Sequence, residues 1–351
     1  MIKESGWKPK YQIVPGDETE LVHKTRTPYR LALVISLCAA LIITAFTIVY
    51  PRINAVNTCS QPRVRREWRS LSEQQQLDYL KAVQCLARTP SGIHPNASLH
   101  DDFPWVHRNI GYIAHEAALF LPWHRYFVHI YETALQESCG YIGPMPYWDW
   151  SLDWETITHS PVLNDYTGFG GTGNENNHDC VEQGPFANMP ALYNGTHYEL
   201  HCLSRHFAFK EDVGVRHYDV SYLSPQTTAD VLDTDDYMEL VLGIEHGPHN
   251  HLPLGIGGDF LSFTAPAEPL FFLHHAQLDR LWWIWQSRSK QNSRAYSGPK
   301  SMGSNESASV DDLIPVSFPS LADDVPVKEV LSTQAGILCY TYDTAQIGEP
   351  V

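Results

Sequence analysis

Apolar residues recur at helical spacing in several segments of the chain. Three leucines within residues 77–86 form the first stripe, and Ser72 before them is a suitable N-cap, so a helix is predicted from Ser72 to about Arg88. The same periodicity predicts four further helices, at about 101–117, 122–138, 225–243 and 266–289. Residues 140–224 and 291–312 are rich in Gly, Pro, Asn or Ser and show little periodicity. The pattern therefore predicts a mainly α fold, with a helical core and long irregular loops.

The longest apolar run lies near the N-terminus. Leu31 to Tyr50 is a run of 20 residues without a charge, which is long enough to span a bilayer as a helix. It begins 30 residues into the chain and lacks a clear small-residue cleavage site, which favours an uncleaved signal-anchor. A buried core helix is the alternative. We expect a single-pass membrane protein in which residues 1–30 form a polar cytosolic tail, although basic residues on both sides of the run leave the orientation open.

The composition supports a folded domain and argues against one class of partner. Of the 351 residues, 18% are charged and 12% are aromatic, so a sizeable core can form. The chain has 24 basic and 40 acidic side chains, and its formal net charge of −16 disfavours binding to nucleic acid.

Cysteines and glycosylation sequons indicate an oxidising compartment. Cys38 lies in the apolar run, and the other six cysteines form an even set compatible with disulfides. Sequons at Asn96, Asn194 and Asn305 agree with a lumenal or extracellular catalytic domain. Six free thiols in a cytosolic domain are the alternative.

Histidines are concentrated in two clusters about 150 residues apart. The first contains His107, His115 and His124, set among aromatic residues, and the second contains His249, His251 and His275. Neutral imidazoles without nearby thiolates suit copper, zinc, iron or nickel, and three per cluster leave positions open for a substrate. The clusters therefore predict a metal-dependent enzyme.

Two motifs resemble the signatures of a known family. The element His-x4-Phe-Leu-Pro-Trp-His-Arg-x2-Val-x3-Glu, from His115 to Glu132, resembles the copper A signature of the tyrosinase family. The element Pro-x-Phe-Phe-x2-His-x3-Asp, ending at Asp279, resembles its copper B signature. Shorter pieces at 145–150, 202–205, 257–260 and 340–342 are also similar to fungal members. The resemblance covers roughly residues 60–342.

The resemblance implies a dinuclear type-3 copper centre in a four-helix bundle, with three histidines for each of two copper ions. By motif position, His107, His115 and His124 would hold copper A, and His249 and His275 would hold two of the three places on copper B. Family members use dioxygen to hydroxylate a phenol at the ortho position or to oxidise a catechol to an o-quinone. The implied partners are dioxygen and a phenolic small molecule or a peptide tyrosine.

The chain departs from the family pattern at copper B. The family places its second copper B histidine four residues after His249, where this chain has Pro253. Proline disfavours a helix here and favours an extended backbone at Leu252. In an extended stretch, residues two apart point to the same side, so His251 is predicted to complete copper B. His246 is the alternative, and loss of the copper B site is the third.

Two residues near copper B are candidate catalytic groups. Asn250 occupies a position where family members often help to place a water molecule that deprotonates the phenol. Glu245 is predicted as its acidic partner, with Glu239 as the alternative. Ala265 falls where the family carries a residue that overhangs the pocket, and its small side chain leaves room for a bulky phenol.

These observations favour a membrane-anchored copper oxidase that acts on phenols, in pigment or secondary-metabolite biosynthesis. Three alternatives remain: a haemocyanin-like oxygen carrier, a degenerate member without catalysis, which Pro253 motivates, and a zinc hydrolase, which lacks its usual His-Glu-x-x-His helix. Only nine residues follow Tyr342, so residues 343–351 are expected to be a short tail that leaves the pocket open.

Overall fold

The computed structural model describes residues 59–195, 197–209, 219–316 and 321–343. The predicted tail at 1–30 and the predicted membrane-spanning segment at 31–50 lie outside these ranges, as does the tail after Asp343. Within the described ranges, no helix is both long and apolar enough to cross a membrane.

Helices dominate the described part of the chain. The α-helices are α1 (Glu73–Leu86), α2 (Leu99–Ala114), α3 (Phe120–Cys139), α4 (Pro225–Leu232), α5 (Tyr237–Ile244), α6 (Asn250–Ile256) and α7 (Leu270–Ser287). A π-helical turn, Glu245–His249, joins α5 to α6. The predicted mainly α fold is therefore confirmed.

Short strands pair at the periphery. They are β1 (Arg63–Arg65), β2 (Pro190–Asn194), β3 (His197–Cys202), β4 (Leu313–Ile314), β5 (Val325–Pro326) and β6 (Tyr340–Tyr342). β1 pairs with β6 in parallel, so the two ends of the described chain meet, while β2 with β3 and β4 with β5 are antiparallel.

Capping residues explain where the first helices begin. Ser72 caps α1 and Ser98 caps α2, each through a reciprocal capping box with the residue three positions later. The predicted helix at 101–117 therefore starts earlier, and it ends at Ala114 because His115 adopts an extended conformation. The predicted helix at 225–243 is two helices, α4 and α5, since Asp236 caps a new start.

The core lies where α3 packs against α7. Tyr131 of α3 stacks on Phe272 of α7 with ring centroids 3.4 Å apart, and Phe103 of α2 meets both rings edge-on. Each buried aromatic side chain of this kind contributes roughly 1.5–3 kcal/mol. This packing holds α2, α3 and α7, which carry His107, His124 and His275, in a fixed relation.

A buried network of ion pairs and hydrogen bonds connects β1 and β6 to α3 and α7. Asp279 on α7 pairs with Arg125 on α3 and with Arg65 on β1, and the hydroxyls of Tyr340 and Tyr342 on β6 donate to it. Burial alone would raise the pKa of Asp279, but Arg125 and Arg65 lower it below its usual value. Asp279 therefore acts as a buried anion that joins β1 and β6 to the core through Arg65, Tyr340 and Tyr342.

All six cysteines of the described chain are paired. The disulfides are Cys59–Cys339, Cys85–Cys139 and Cys180–Cys202. The expectation of a disulfide-bonded set is confirmed, and the alternative of six free thiols is wrong.

Candidate metal centre

Three histidines of the first cluster converge at one point. His107 lies in the middle of α2, His115 is the C-cap of that helix, and His124 lies in the second turn of α3. Their ligand nitrogens lie within 4.8 Å of one another, and all three side chains are buried. We call this the A position.

The end of α2 brings His115 into this group. Eight residues separate His107 from His115, which would turn the two side chains about 80° apart on a continuous helix. His115 instead leaves the helix with φ −115° and ψ 152°, and Glu116 follows with a positive φ of 48°. This sharp turn places the His115 ring against the His107 ring, with centroids 5.3 Å apart.

Backbone carbonyls select the nitrogen that faces the A position. The Nδ1 atoms of His107, His115 and His124 lie 2.7, 2.9 and 2.8 Å from the carbonyl oxygens of Phe263, Gly111 and Phe120 respectively. A carbonyl oxygen only accepts, so each Nδ1 carries the proton and each Nε2 is left with a lone pair.

Burial keeps these imidazoles neutral. It lowers the pKa of His107 to about 3 and that of His115 to about 4, and it lowers the pKa of His124 well below the usual range. The Nε2 atoms of His107 and His124 lie only 3.3 Å apart, although neither can donate a hydrogen bond to the other. A cation between these lone pairs would remove their repulsion, so the residues present fit a nitrogen-ligated metal ion.

The second cluster contributes two histidines to a neighbouring point, which we call the B position. His249 at the start of α6 and His275 on α7 lie with ring centroids 5.1 Å apart, and their ligand nitrogens come within 4.8 Å of that of His124. His249 donates from Nδ1 to the side-chain oxygen of Asn250 over 2.9 Å. The Nδ1 atom of His275 is buried and has no hydrogen-bond partner in the described structure.

The prediction that His251 completes this group rested on an extended backbone, and that premise is wrong. The chain is helical from His249 through Ile256, with Pro253 inside α6. Pro253 is the fourth residue of the helix, so it removes only the one hydrogen bond that its N–H would make to the His249 carbonyl. Two residues on a helix point about 200° apart, so His251 cannot share the direction of His249.

Side-chain contacts confirm that His251 faces elsewhere. It donates from Nδ1 to the Gly247 carbonyl over 2.8 Å, and its ring stacks on Tyr222 with centroids 3.7 Å apart. His246, the alternative, is more than half exposed and lies 3.6 Å from the Glu116 carboxylate. Neither joins His249 and His275 among the described groups of ligand atoms.

His274 has a supporting role that the sequence did not indicate. Trp150 donates from its indole nitrogen to His274 Nδ1 over 3.0 Å, so the His274 proton is on Nε2. That Nε2 lies 3.3 Å from the carbonyl oxygen of His249, the oxygen that Pro253 leaves without a helical donor. His274 therefore uses both ring nitrogens: Nδ1 accepts from Trp150, and Nε2 donates to the backbone carbonyl of His249.

A cavity of about 450 Å³ opens beside both positions. Its wall is mainly apolar, and His107, His115 and His249 reach it. The apolar residues that line the cavity are Pro253, Leu254, Phe260, Leu261, Phe263, Ala265 and Met302. Phe263 contributes twice, since its carbonyl orients His107 and its ring lies 5.4 Å from that of His115.

Both predicted catalytic residues line this cavity. Glu245 is buried and accepts hydrogen bonds from the backbone N–H of Glu116 at 3.0 and 2.9 Å, and Asn250 lies at the exposed rim. Burial raises the pKa of Glu245 to about 8, and the nearby Glu116 carboxylate adds to this. Glu239, the alternative, is exposed and accepts a hydrogen bond from Thr234, so it does not reach the cavity.

The fold and site together define a mainly helical protein with two neighbouring groups of histidines that could hold metal ions. A model of the common central domain of tyrosinase matches residues 91–288. Tyrosinase ustQ from Aspergillus flavus is 41% identical over 344 residues, covering 95% of this chain and 91% of that protein. The tyrosinase-like protein phomQ1' from Diaporthe leptostromiformis is 42% identical over 316 residues, covering 83% and 82% of the two chains.

A solved structure agrees with these relatives. A polyphenol oxidase from Thermothelomyces thermophila, in a G292N mutant form, matches with a TM-score of 0.71 at 27% identity, covering 90% of this chain and 98% of that one. This chain therefore belongs to the tyrosinase family, as its motifs predicted, and it is a tyrosinase-like copper oxidoreductase by family.

Proposed function

We propose that this protein is a copper-dependent oxidase that uses dioxygen to oxidise phenols, by ortho-hydroxylation, by conversion of a catechol to an o-quinone, or by both. The observation that carries the proposal is the A position, where three buried, neutral imidazoles direct Nε2 lone pairs to one point beside an apolar cavity. His107, His115 and His124 would hold one copper ion, and His249 and His275 would supply protein ligands for a second. Bound copper supplies the activation of dioxygen and the redox chemistry.

The cavity of this chain would bind and orient the phenol. Phe260, Phe263 and Leu254 offer apolar contact to an aromatic ring, and Ala265 leaves space above it. A volume of about 450 Å³ accommodates a single ring with a substituent. Its apolar wall would also exclude water from the reacting ring.

Glu245 is the group suited to take the phenol proton. Its two carboxylate oxygens accept hydrogen bonds from the Glu116 N–H, and it lines the cavity together with His107, His115 and His249. Asn250 keeps the proton of His249 on Nδ1 and so directs Nε2 of that residue toward the B position.

We further propose that residues 31–50 anchor the chain in a membrane and that the catalytic domain is lumenal or extracellular, in a pathway for a pigment or secondary metabolite. Three disulfides and the exposure of Asn96, Asn194 and Asn305 support an oxidising, glycosylating compartment. Resistance to alkaline extraction and a mobility shift after glycosidase treatment are the expected results. A soluble, unglycosylated chain from the native host would contradict this placement.

The function is tested by quinone formation and oxygen uptake with monophenols and catechols, using the purified full chain before and after copper removal. His124→Gln should abolish turnover, whereas His129→Gln is a matched control, because His129 lies on the same helix outside both ligand groups. Copper should restore the activity of the chelated wild-type chain. A copper-loaded chain without turnover on any phenol would overturn the proposal.

One observation favours a second candidate, a family member without catalysis. Pro253 occupies the helical position from which a third ligand would reach the B position. The same assay separates the two candidates, because a silent member would bind copper at the A position and still consume no oxygen.

A further inference from the structure

We infer that the two metal positions are unequal: the A position binds one copper ion firmly, whereas the B position has two protein ligands and an open coordination place beside Pro253 that a small nitrogen donor from the cavity can fill. The inference rests on the proposed function only for the identity of the metal. It predicts a stoichiometry and a ligand, both of which can be measured without turnover.

The A position has three ligands, and each is held by the protein backbone. Nδ1 of every ring donates to a carbonyl oxygen at 2.7–2.9 Å, and two of these carbonyls, of Gly111 and Phe120, belong to the turn of helix that precedes the ligand. Such outer hydrogen bonds fix the direction of an imidazole and raise its basicity, and losing one typically costs 10–100-fold in metal affinity. The A position is therefore preorganised as a complete three-nitrogen site.

The B position lacks this support. His249 is oriented by the side chain of Asn250 at the exposed rim, and Nδ1 of His275 is buried without a partner in the described structure. In the described chain, the only further side chain grouped with these two is His124, which also belongs to the A position. Two ligands, one of them without an orienting hydrogen bond, form a weaker site than three oriented ligands.

Pro253 marks the place of the missing ligand. It lies four residues after His249 on α6, so both side chains occupy the same face of the helix. Both also line the cavity. A side chain with a nitrogen donor at this position could reach the same metal as His249, but proline offers no donor, so the place opens into the cavity.

The surrounding structure is adapted to this proline. Residue 253 of a regular helix would donate to the His249 carbonyl, but here His274 Nε2 lies 3.3 Å from that oxygen and is held in turn by Trp150. His274 uses both ring nitrogens in this way and cannot act as the third ligand. The backbone of His249 is thus fixed without an N–H from residue 253, and the two-ligand arrangement is built into the fold.

Copper titration of the metal-free full chain tests the inference, with a competing chelator to fix free copper and electron paramagnetic resonance to count uncoupled Cu(II). The wild-type chain should bind about one copper ion tightly, as an uncoupled signal, and the second about 100-fold more weakly. Added imidazole should strengthen binding of the second ion by about 10-fold or more.

Two variants at one position provide the comparison. Pro253→His should bring the affinity for the second ion to within about 10-fold of the first, and the paramagnetic signal should fall as the two ions couple. It should also remove the effect of imidazole. Pro253→Ala restores the helical N–H without adding a ligand, and it should titrate like the wild-type chain.

Equal, tight binding of two copper ions by the wild-type chain would overturn the inference, as would a second affinity that imidazole leaves unchanged. Neither result depends on the folding of a variant. Phenol oxidation measured on the same samples keeps the two claims apart: unequal binding without turnover contradicts the proposed function alone, and equal binding with turnover contradicts the inference alone.

Discussion

Single hydrogen bonds decide which atoms of the histidines can meet a metal ion. At the A position the acceptors are backbone carbonyls, which a substitution cannot delete. At His249 the acceptor is the Asn250 side chain, which a substitution can delete. The B position is therefore the one that residue-level changes should affect first.

Asn250→Ala should weaken copper binding at the B position by about 10-fold or more, because His249 loses the acceptor that fixes its proton on Nδ1. Binding at the A position should be unchanged. Asn109→Ala is the control, since Asn109 also makes one hydrogen bond, to the Trp105 carbonyl, but lies exposed on α2. Competitive copper titration measures both constants, and equal effects of the two substitutions would refute the role of Asn250.

Glu245 should make the stability of the metal-free chain depend on pH. Its folded pKa of about 8 lies above its unfolded value of about 4.5, so the folded state binds the proton more tightly and loses stability as pH rises between these values. Glu245→Gln should reduce this loss by an amount on the order of a few kcal/mol.

Chemical denaturation of the metal-free chain from pH 5 to 9 measures this effect, with Glu239→Gln as an exposed control. Metal must be absent, since its charge would lower the pKa of a nearby carboxyl group. A wild-type pH dependence that Glu245→Gln leaves unchanged would show that Glu245 ionises normally.

At the scale of elements, the wall of the cavity depends on contacts between segments far apart in sequence. His201 on β3 bonds Asp259 over 2.7 Å, and Asp259 also accepts from the Ser204 N–H over 2.8 Å. Asp259 belongs to the short turn Gly258–Leu261, which supplies Phe260 to the cavity. The β2–β3 hairpin thus supports the wall of the cavity that contains Phe260.

The His201–Asp259 bond should be lost in mild alkali. The hydrogen bond to Asp259 raises the pKa of His201 to about 9, so its contribution to stability is full below about pH 6.5 and disappears as pH rises through 9. We expect a loss of roughly 1 kcal/mol after allowing for solvent screening. Unfolding of His201→Gln should lack this step, and that of His159→Gln, at an exposed histidine, should retain it.

Element by element, the sequence could predict what depends on local pattern and motif. Helical periodicity and Ser72 place α1, and the tyrosinase-like motifs point to His107, His115, His124, His249 and His275. The β2–β3 hairpin was missed because its strands, broken by a bulge, lie in an irregular, Gly- and Asn-rich stretch. The carbonyl of Phe263 could not be assigned to His107 either, since 156 residues separate them.

The direction of His251 could not be read from the sequence for a different reason. A proline usually disfavours a helix, but Pro253 lies where it removes only one backbone hydrogen bond, and the His249 carbonyl has His274 as a substitute donor. The outcome therefore depended on a side chain from α7 rather than on the local sequence.

For the whole molecule, the two ends of the described chain are closed against the core. β1 and β6 pair, the Cys59–Cys339 disulfide joins residues 280 positions apart, and Asp279 binds Arg65 and both tyrosines of β6. This closure fixes the position of α3 relative to α7, and therefore the position of His124 relative to His275.

Removal of the disulfide that closes the longest loop should reduce the free energy of unfolding most. The loop closed by Cys59–Cys339 spans 280 residues and that closed by Cys180–Cys202 spans 22, so chain entropy predicts that the double Cys→Ser variant of the first pair loses about 2 kcal/mol more than that of the second. Denaturant unfolding under non-reducing conditions measures the difference. A larger loss from the shorter loop would show that native contacts, rather than chain entropy, dominate.

The location of the metal is the central claim, and anomalous X-ray diffraction at the copper edge from copper-soaked crystals tests it most directly. The account predicts a strong copper peak bounded by Nε2 of His107, His115 and His124, and a weaker peak between His249 and His275. No peak at the first point, or copper bound instead at His246 or His251, would contradict it.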